Sequence, residues 1–319
     1  MALSEFELIR KYFRNAFKDS ADIKCGIGDD AAVVSIPAGM ALALSMDTLV
    51  AGVHFPLNTA PEDIGYKALA VNLSDMAAIG AEPRWITLAL TLPENDPGWI
   101  EKFMAGFSVS AKKYSLSLIG GDLTRGPLTI TIQIHGYLPE GQGLYRHGAK
   151  TDDLIYVSGT LGDAGLALGL LEGRCKVEKK YQEYVLNRLN RPTPRIDLGM
   201  ALRDIANSAI DNSDGLLADL NHILVASNKG AVINTDELPF SDALKEQTAG
   251  QAIEFALTSG DDYELCFTIS PGEQLQLENE LAQYCRLSCI GKITDACGMI
   301  WQHADGSLYH PKGKAYQHF

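Results

Sequence analysis

Carboxylates recur along this chain beside glycine, serine or threonine at the ends of apolar runs. The first set is Gly26-Ile27-Gly28-Asp29-Asp30, ahead of Ala31-Ala32-Val33-Val34. Next come Asp47 in Ser45-Met46-Asp47-Thr48, Asp75 in Asn72-Leu73-Ser74-Asp75, and Asp122 in Gly120-Gly121-Asp122-Leu123. Asp211 and Asp214 lie in Asp211-Asn212-Ser213-Asp214-Gly215, and Asp261 and Asp262 in Ser259-Gly260-Asp261-Asp262-Tyr263-Glu264-Leu265. An all-oxygen donor set suits Mg²⁺ and disfavours zinc or copper, and so many acids would repel one another unless several cations lay among them. Several Mg²⁺ ions with glycine-rich turns point to a polyphosphate substrate and phosphoryl transfer, where catalysis is chiefly positioning and charge neutralisation. An acid and a base working on a sugar would need one close pair of carboxylates and little glycine. Taken singly, each motif has a plainer reading: Asp29 and Asp30 as an Asp-rich turn, His54 in Val53-His54-Phe55 as a packing residue, Ser213 and Asp214 as helix caps.

The bulk properties frame that chemistry. A chain of 319 residues, 46% hydrophobic and 21% charged, is expected to build a soluble globular protein of two domains. No apolar run is long enough to span a membrane, and the acidic N-terminus is unlike a secretory signal, so a cytoplasmic protein is expected. The net charge of -13 argues against nucleic acid or an anionic membrane as the main partner. The 6 cysteines form no C-x-x-C pair, so neither a zinc knuckle nor a disulfide framework is indicated.

The elements that must position the acids follow from periodicity and turn signals. Residues 4–17 have helical apolar spacing; 31–36 and 41–46 read as strands joined by Pro37-Ala38-Gly39, a hairpin that would bring Asp30 and Asp47 together. A helix is expected over 61–80, with Asn72, Ser74 and Asp75 as costly polar residues inside it. A strand over 84–92, a helix over 97–114 capped by Asp96, a strand over 116–119 ending at Gly120, and a strand over 128–138 follow. Pro139-Glu140-Gly141-Gln142-Gly143 is the best linker candidate. Beyond it, strands are expected at 153–158, 208–211, 231–234, near 265–269, near Leu287 and near Met299, with helices over 195–206, from Leu217, twice within 241–256, and over 274–284. The glycines of Gly159-Thr160-Leu161-Gly162-Asp163-Ala164-Gly165 precede a helix, but no G-x-x-x-x-G-K-[ST] occurs, so this is no Walker A site and reads as a tight turn.

The motifs quoted above, together with Leu49-Val50-Ala51-Gly52-Val53-His54-Phe55, Met76-Ala77-Ala78-Ile79-Gly80-Ala81-Glu82-Pro83, Thr124-Arg125-Gly126-Pro127 and the terminal His318-Phe319, closely resemble the thiamine-monophosphate kinase family, in order and over essentially the whole chain. That family belongs with aminoimidazole ribonucleotide synthetase and selenophosphate synthetase. The resemblance implies an α/β, two-domain aminoimidazole ribonucleotide synthetase-like fold: an ATP/Mg-binding and dimerisation domain at 1–138, a linker at 139–152 and a C-terminal α/β domain at 153–319. It further implies a homodimer whose N-terminal sheets form a barrel across the dimer, and ATP-dependent phosphorylation of thiamine phosphate to thiamine diphosphate.

Carried over by position, the resemblance assigns Mg²⁺ contacts to Asp30, Ser45, Met46, Asp47, Asp75, Asp122, Asp211 and Asp214, with Asp30, Asp75, Asp122 and Asp211 as the catalytic acids. It assigns ATP to Tyr114, Gly121, Asp122, Arg146 and Ser213, and thiamine phosphate to His54, Asp261 and Tyr316. Met46 stands where relatives commonly have Thr, so its metal contact would come from the backbone carbonyl; Asp261 stands where Glu is common, a reach shorter by one methylene. The acceptor is a phosphate already anionic at neutral pH, so direct in-line transfer without a phosphoenzyme is expected. The rival readings are a sister enzyme of the superfamily with a different acceptor, and a non-catalytic Mg-nucleotide sensor.

Overall fold

The structure, a computed structural model, describes residues 4–14 and 20–313. Tyr316 and the terminal His318-Phe319 lie outside the described residues, as does the end of the expected helix over 4–17. The chain divides into two units, Met1–Met76 with Ala81–Gly141, and Ala77–Gly80 with Gln142–Phe319.

In the first unit, helix α1 (Glu5–Leu8) is opened by a capping box of Ser4 and Glu7 and continues as a π-helical turn, Ile9–Arg14, that buries Tyr12 and Phe13. Strands β1 (Ile23–Cys25) and β2 (Val33–Val34) pair with each other as a two-stranded ribbon. The main sheet has β3 (Met40–Val50), β4 (Glu82–Leu92), β5 (Ser117–Arg125) and β6 (Thr129–Pro139) in the order β3-β6-β4-β5, antiparallel except for β4 and β5. Helix α2 (Pro61–Ile79) joins β3 to β4, and α3 (Pro97–Lys113), capped by Asp96 accepting from Gly98 N and Trp99 N, joins β4 to β5.

The expected hairpin of 31–36 with 41–46 does not form. The register of β3 is taken entirely by β6, while β2 is two residues long and pairs backwards onto β1. Proline at 37 and the short ribbon end the pairing before the two runs can meet. The ribbon is pinned instead by Asp22, whose carboxylate accepts from Tyr137 OH at 3.0 Å and Arg84 Nη2 at 3.2 Å, and by Trp85 and Tyr137, against which Ile23, Val34 and Met40 pack.

The second unit carries a seven-stranded sheet of β7 (Leu154–Ser158), β8 (Ala206–Asn212), β9 (Gly230–Asn234), β10 (Glu264–Ile269), β11 (Leu287–Thr294), β12 (Gly298–Gln302) and β13 (Leu308–Tyr309), in the order β13-β12-β9-β11-β7-β10-β8. Around it lie α4 (Asp163–Leu171), α5 (Lys179–Asn190), α6 (Ile196–Ala201), α7 (Leu216–Ser227), α8 (Asp242–Gln247) and α9 (Ala252–Thr258). Leu216, Leu220, Ile223 and Leu224 of α7 and Ala256 and Leu257 of α9 close over Ile155, Val157, Ile210 and Ile293 of the sheet. The helix expected over 274–284 is a succession of short 3-10, α and π turns from Pro271 to Leu281, in which only Leu277 and Leu281 are buried.

Candidate active site

In the first unit, alternation along β3 sorts the candidate residues onto two faces. Ala43 and Leu49 are buried toward the helices, and Ser45 and Asp47 share that face. Ser45 Oγ donates to Asp75 Oδ2, and Asp47 N donates to Asn72 Oδ1 at 3.2 Å. Asn72 is fully buried and its Nδ2 donates to Ala68 O at 2.9 Å, so Asn72 and Asp75 of α2 grip β3, while Ser74 is buried with its Oγ making no hydrogen bond among the described residues. Ser45, Asp47 and Asp75 are therefore brought together. A strand that stays regular through Asp47 also puts Met46 on the opposite face, where it is 63% exposed.

Asp122 is not beside them. It sits within β5 and not past a strand end, because the chain continues extended through Gly120-Gly121 to Arg125. The row through Asp47 runs Ile132, Leu88, Gly121 across the sheet, which separates β3 from β5 by three strand spacings, about 14 Å. Asp122 shares its row with Thr48, Thr131 and Ala89 on the open face, and its Oδ1 accepts from Leu123 N at 3.0 Å. Gly121 has φ 152°, and a Cβ there would lie 1.9 Å from Leu88 O, so β4 and β5 approach in a way that only glycine permits. Tyr114 closes α3, with Lys113 Nζ 4.9 Å from the centre of its ring.

Asp30 is exposed in the loop between β1 and β2. Asp29 Oδ1 accepts from Asp30 N at 2.9 Å and Oδ2 from Cys25 Sγ at 3.3 Å, contacts that hold the Asp29 carboxyl below its usual range. His54 lies in the turn after β3. Its Nδ1 accepts from Val50 N at 3.0 Å, so in the neutral ring the proton is on Nε2. The buried Lys67 of α2 donates to His54 O at 3.4 Å, tying that turn to the same helix.

In the second unit, two stretches far apart in sequence meet. Asp211 and Asn212 end β8 against Leu265 and Glu264 of β10, Asp261 N donates to Ser213 O at 2.9 Å, and Tyr263 N donates to Asn212 O at 2.9 Å. A Cβ on Gly260 would stand 2.3 Å from Ser213 O, so this docking needs glycine. Asp211, Ser213, Asp214 and Asp261 are thus gathered at one end of the β8–β10 pair. Ser213 and Asp214 do not cap α7. The helix begins one residue later, with Gly215 at the cap position and no side-chain cap bond, and Asp219 from the first turn reaches back to accept from Asp214 N at 3.1 Å. Burial, with the Asp214 charge, pushes the Asp219 carboxyl up to about 7, opposed in part by Arg146. Arg146 is exposed, and its backbone O accepts from Ser227 Oγ.

Asp219 is a residue of this region that sequence alone does not single out, and Asn72, conspicuous as a polar residue inside a helix, does not reveal there that it grips β3. An acid in a first helical turn is ordinary, and an asparagine inside a helix carries no mark of what it grips. Among the described residues no three His, Cys, Asp or Glu side chains converge as a metal cage. Oxygen donors held singly or in pairs fit a cation such as Mg²⁺, which keeps waters and is bound through one or two carboxylates plus substrate phosphates. The glycines before α4 are filled from within: Asp262 accepts there from Gly162 N at 2.6 Å.

Residues 28–138 match the family described as AIR synthase related protein, N-terminal domain. The chain is 48% identical to the thiamine-monophosphate kinase of Salmonella typhimurium, over 100% of this chain and 99% of that protein. It is 35% identical to that of Bacillus subtilis, over 99% of this chain and 100% of that protein. Among solved structures it resembles the thiamine-monophosphate kinase of Stenotrophomonas maltophilia (46% identity, TM-score 0.87, covering 97% of this chain and 99% of that one). It also resembles AaThiL complexed with AMPPCP and TMP (32% identity, TM-score 0.79, 89% of each chain). The hydrogenase maturation protein HypE of E. coli, at 20% identity and TM-score 0.77 over 97% of this chain and 98% of that one, shares the fold.

Proposed function

The chain belongs to the thiamine-monophosphate kinase family, and we propose that it transfers the γ-phosphate of ATP directly and in line to the phosphate of thiamine monophosphate, giving thiamine diphosphate and ADP in thiamine diphosphate biosynthesis. The observation that carries this reading is full-length similarity to named thiamine-monophosphate kinases, joined to a fold shared with AaThiL in complex with AMPPCP and TMP.

Asp30, Ser45, Met46, Asp47, Asp75, Asp122, Asp211 and Asp214 are the residues we assign to Mg²⁺, Met46 through its backbone. Bound there, Mg²⁺ would neutralise phosphate charge and fix the reacting oxygens in line. The chain supplies the framework: Asn72 fixes the backbone of Asp47, Ser45 orients Asp75, and Asp219 holds the Asp214 backbone. Tyr114, Gly121, Asp122, Arg146 and Ser213 are assigned to ATP, and His54, Asp261 and Tyr316 to thiamine monophosphate. With Nδ1 occupied by Val50 N–H, His54 offers Nε2–H, a donor suited to a phosphate oxygen. The acceptor's second pKa is about 6, so its oxygen needs no general base at neutral pH.

We also propose a homodimer. The outward face of β3 exposes Leu44 (55%) and Met46 (63%) on an edge strand, a surface suited to a second copy of the sheet completing a barrel. The proposed domains are 1–138 and 153–319, joined by 139–152. All 6 cysteines are unpaired, and no helix among the described residues is long and apolar enough to cross a membrane; both fit the proposed cytoplasmic location.

Incubation of the purified protein with Mg-ATP and thiamine monophosphate, with products separated by chromatography, tests the reading. One ADP per thiamine diphosphate is expected, and Asp122→Asn should lower the rate at least 100-fold. ATP turnover without thiamine diphosphate would overturn the assigned acceptor.

A further inference from the structure

Within Ser259-Gly260-Asp261-Asp262-Tyr263-Glu264, Asp262 is the acid that turns away from its neighbours toward α4. It is fully buried, between two residues whose backbones are left-handed, Asp261 at φ 69° and Tyr263 at φ 51°. Aspartate tolerates that conformation; tyrosine seldom adopts it, so something must hold the chain there. Two backbone bonds fasten the flanks, from Asp261 N to Ser213 O and from Tyr263 N to Asn212 O. The centre is fastened by the Asp262 side chain, whose Oδ2 accepts from Gly162 N at 2.6 Å and Oδ1 from Ala164 N at 3.5 Å, at the N-terminus of the nine-residue α4. Consecutive side chains consequently diverge. Asp262 enters the core, while Asp261 and Tyr263 remain partly exposed and joined to each other, Tyr263 OH donating to Asp261 Oδ1 at 3.1 Å.

We propose that Asp262 is a positioning residue for the acceptor substrate: by clamping the left-handed 261–263 segment onto α4, it sets where the Asp261 carboxylate is presented. The inference rests on the reading of Asp261 as a contact of thiamine monophosphate. It makes the N-terminus of α4 a brace for the site and not a phosphate cradle. The charged groups around the clamp are Asp163, Arg188 and Glu264; Glu264 is held by Arg188, Arg195 and Ser158 and so stays put when Asp262 is altered. Asp262→Ala removes both acceptors, whereas Asp262→Asn keeps one oxygen for Gly162 N–H.

Steady-state kinetics on the full chain, with both substrates varied, separates positioning from bulk structure. Asp262→Ala should raise KM for thiamine monophosphate at least 10-fold, with KM for ATP within twofold and kcat within threefold, and Asp262→Asn should return the acceptor KM to within threefold of the parent. If the alanine variant does not fold, Asp262→Ser, too short to reach Gly162, carries the same expectation. Equal rises in both KM values, or an unchanged acceptor KM in a folded Ala or Ser variant, would overturn the inference. Asp261→Ala is measured alongside. An unchanged acceptor KM there would remove Asp261 from the substrate site and defeat the underlying reading, whereas a raised KM in Asp261→Ala with none in Asp262→Ala defeats only the clamp.

Discussion

Gly121 shows how a single residue sets the site. Its φ of 152° and the 1.9 Å that would separate a Cβ from Leu88 O mean that Gly121→Ala forces β5 off β4, since the clashing atom is backbone and has no rotamer to yield. A loss of at least about 2 kcal/mol is expected, read as a lower midpoint in urea unfolding at unchanged m-value. That glycine stands in the sequence within Gly120-Gly121-Asp122, and the acids stand out there as carboxylates beside small residues, but the role of each comes from the family resemblance and not from its neighbours. The geometry of each acid was less legible. Ser213 and Asp214 have the residue types of an N-cap, yet the helix starts after them and Asp219 supplies the acceptor. Cap preference is local, while the choice here is made by the docking of Asp261 and Tyr263 on the Asn212–Ser213 backbone, a contact between residues nearly fifty positions apart that no local rule contains.

At the scale of elements, α2 is the organising piece of the first unit. Its length and Pro start could be read from sequence, and of the costly polar residues inside it Asn72 and Asp75 have a partner while the buried Ser74 Oγ has none among the described residues. The partner is β3, through Asn72 and Asp75. Asn72→Ala should gain about 0.5 kcal/mol of helix propensity but strand the half-buried Asp47 N at about 1–3 kcal/mol, Ala68 O keeping its helical bond from the backbone N of residue 72, so destabilisation wins. Thermal unfolding of the variant should show a net loss of roughly 2 kcal/mol, and an unchanged midpoint would mean that Asn72 holds nothing. The failed hairpin between 31–36 and 41–46 marks the limit of such reading: both runs are strand-like, but β3 aligns eleven residues with β6, against two available in β2. Sequence shows which stretches are strands more readily than which strands pair, because pairing is decided by competing registers across the whole sheet.

In the first unit the edge strand β3 leaves Leu42, Leu44 and Met46 exposed on the open face of the sheet. Leu44→Asp should cost the monomer little, as Leu44 is already 55% exposed, while burying a charge at the proposed junction. Sedimentation velocity is expected to give a dimer for the parent and a monomer for the variant; a monomeric parent would contradict the shared barrel. The dimer came from family resemblance and not from periodicity, since an apolar strand looks the same whether its own chain or a second copy covers it. The central claim for the molecule is that it orients two phosphates and transfers one of them in a single displacement. The stereochemical course with ATP carrying a chiral, isotopically labelled γ-thiophosphate tests this most directly: inversion at phosphorus in the thiamine diphosphate analogue is predicted, and retention would contradict direct transfer by requiring an even number of displacements.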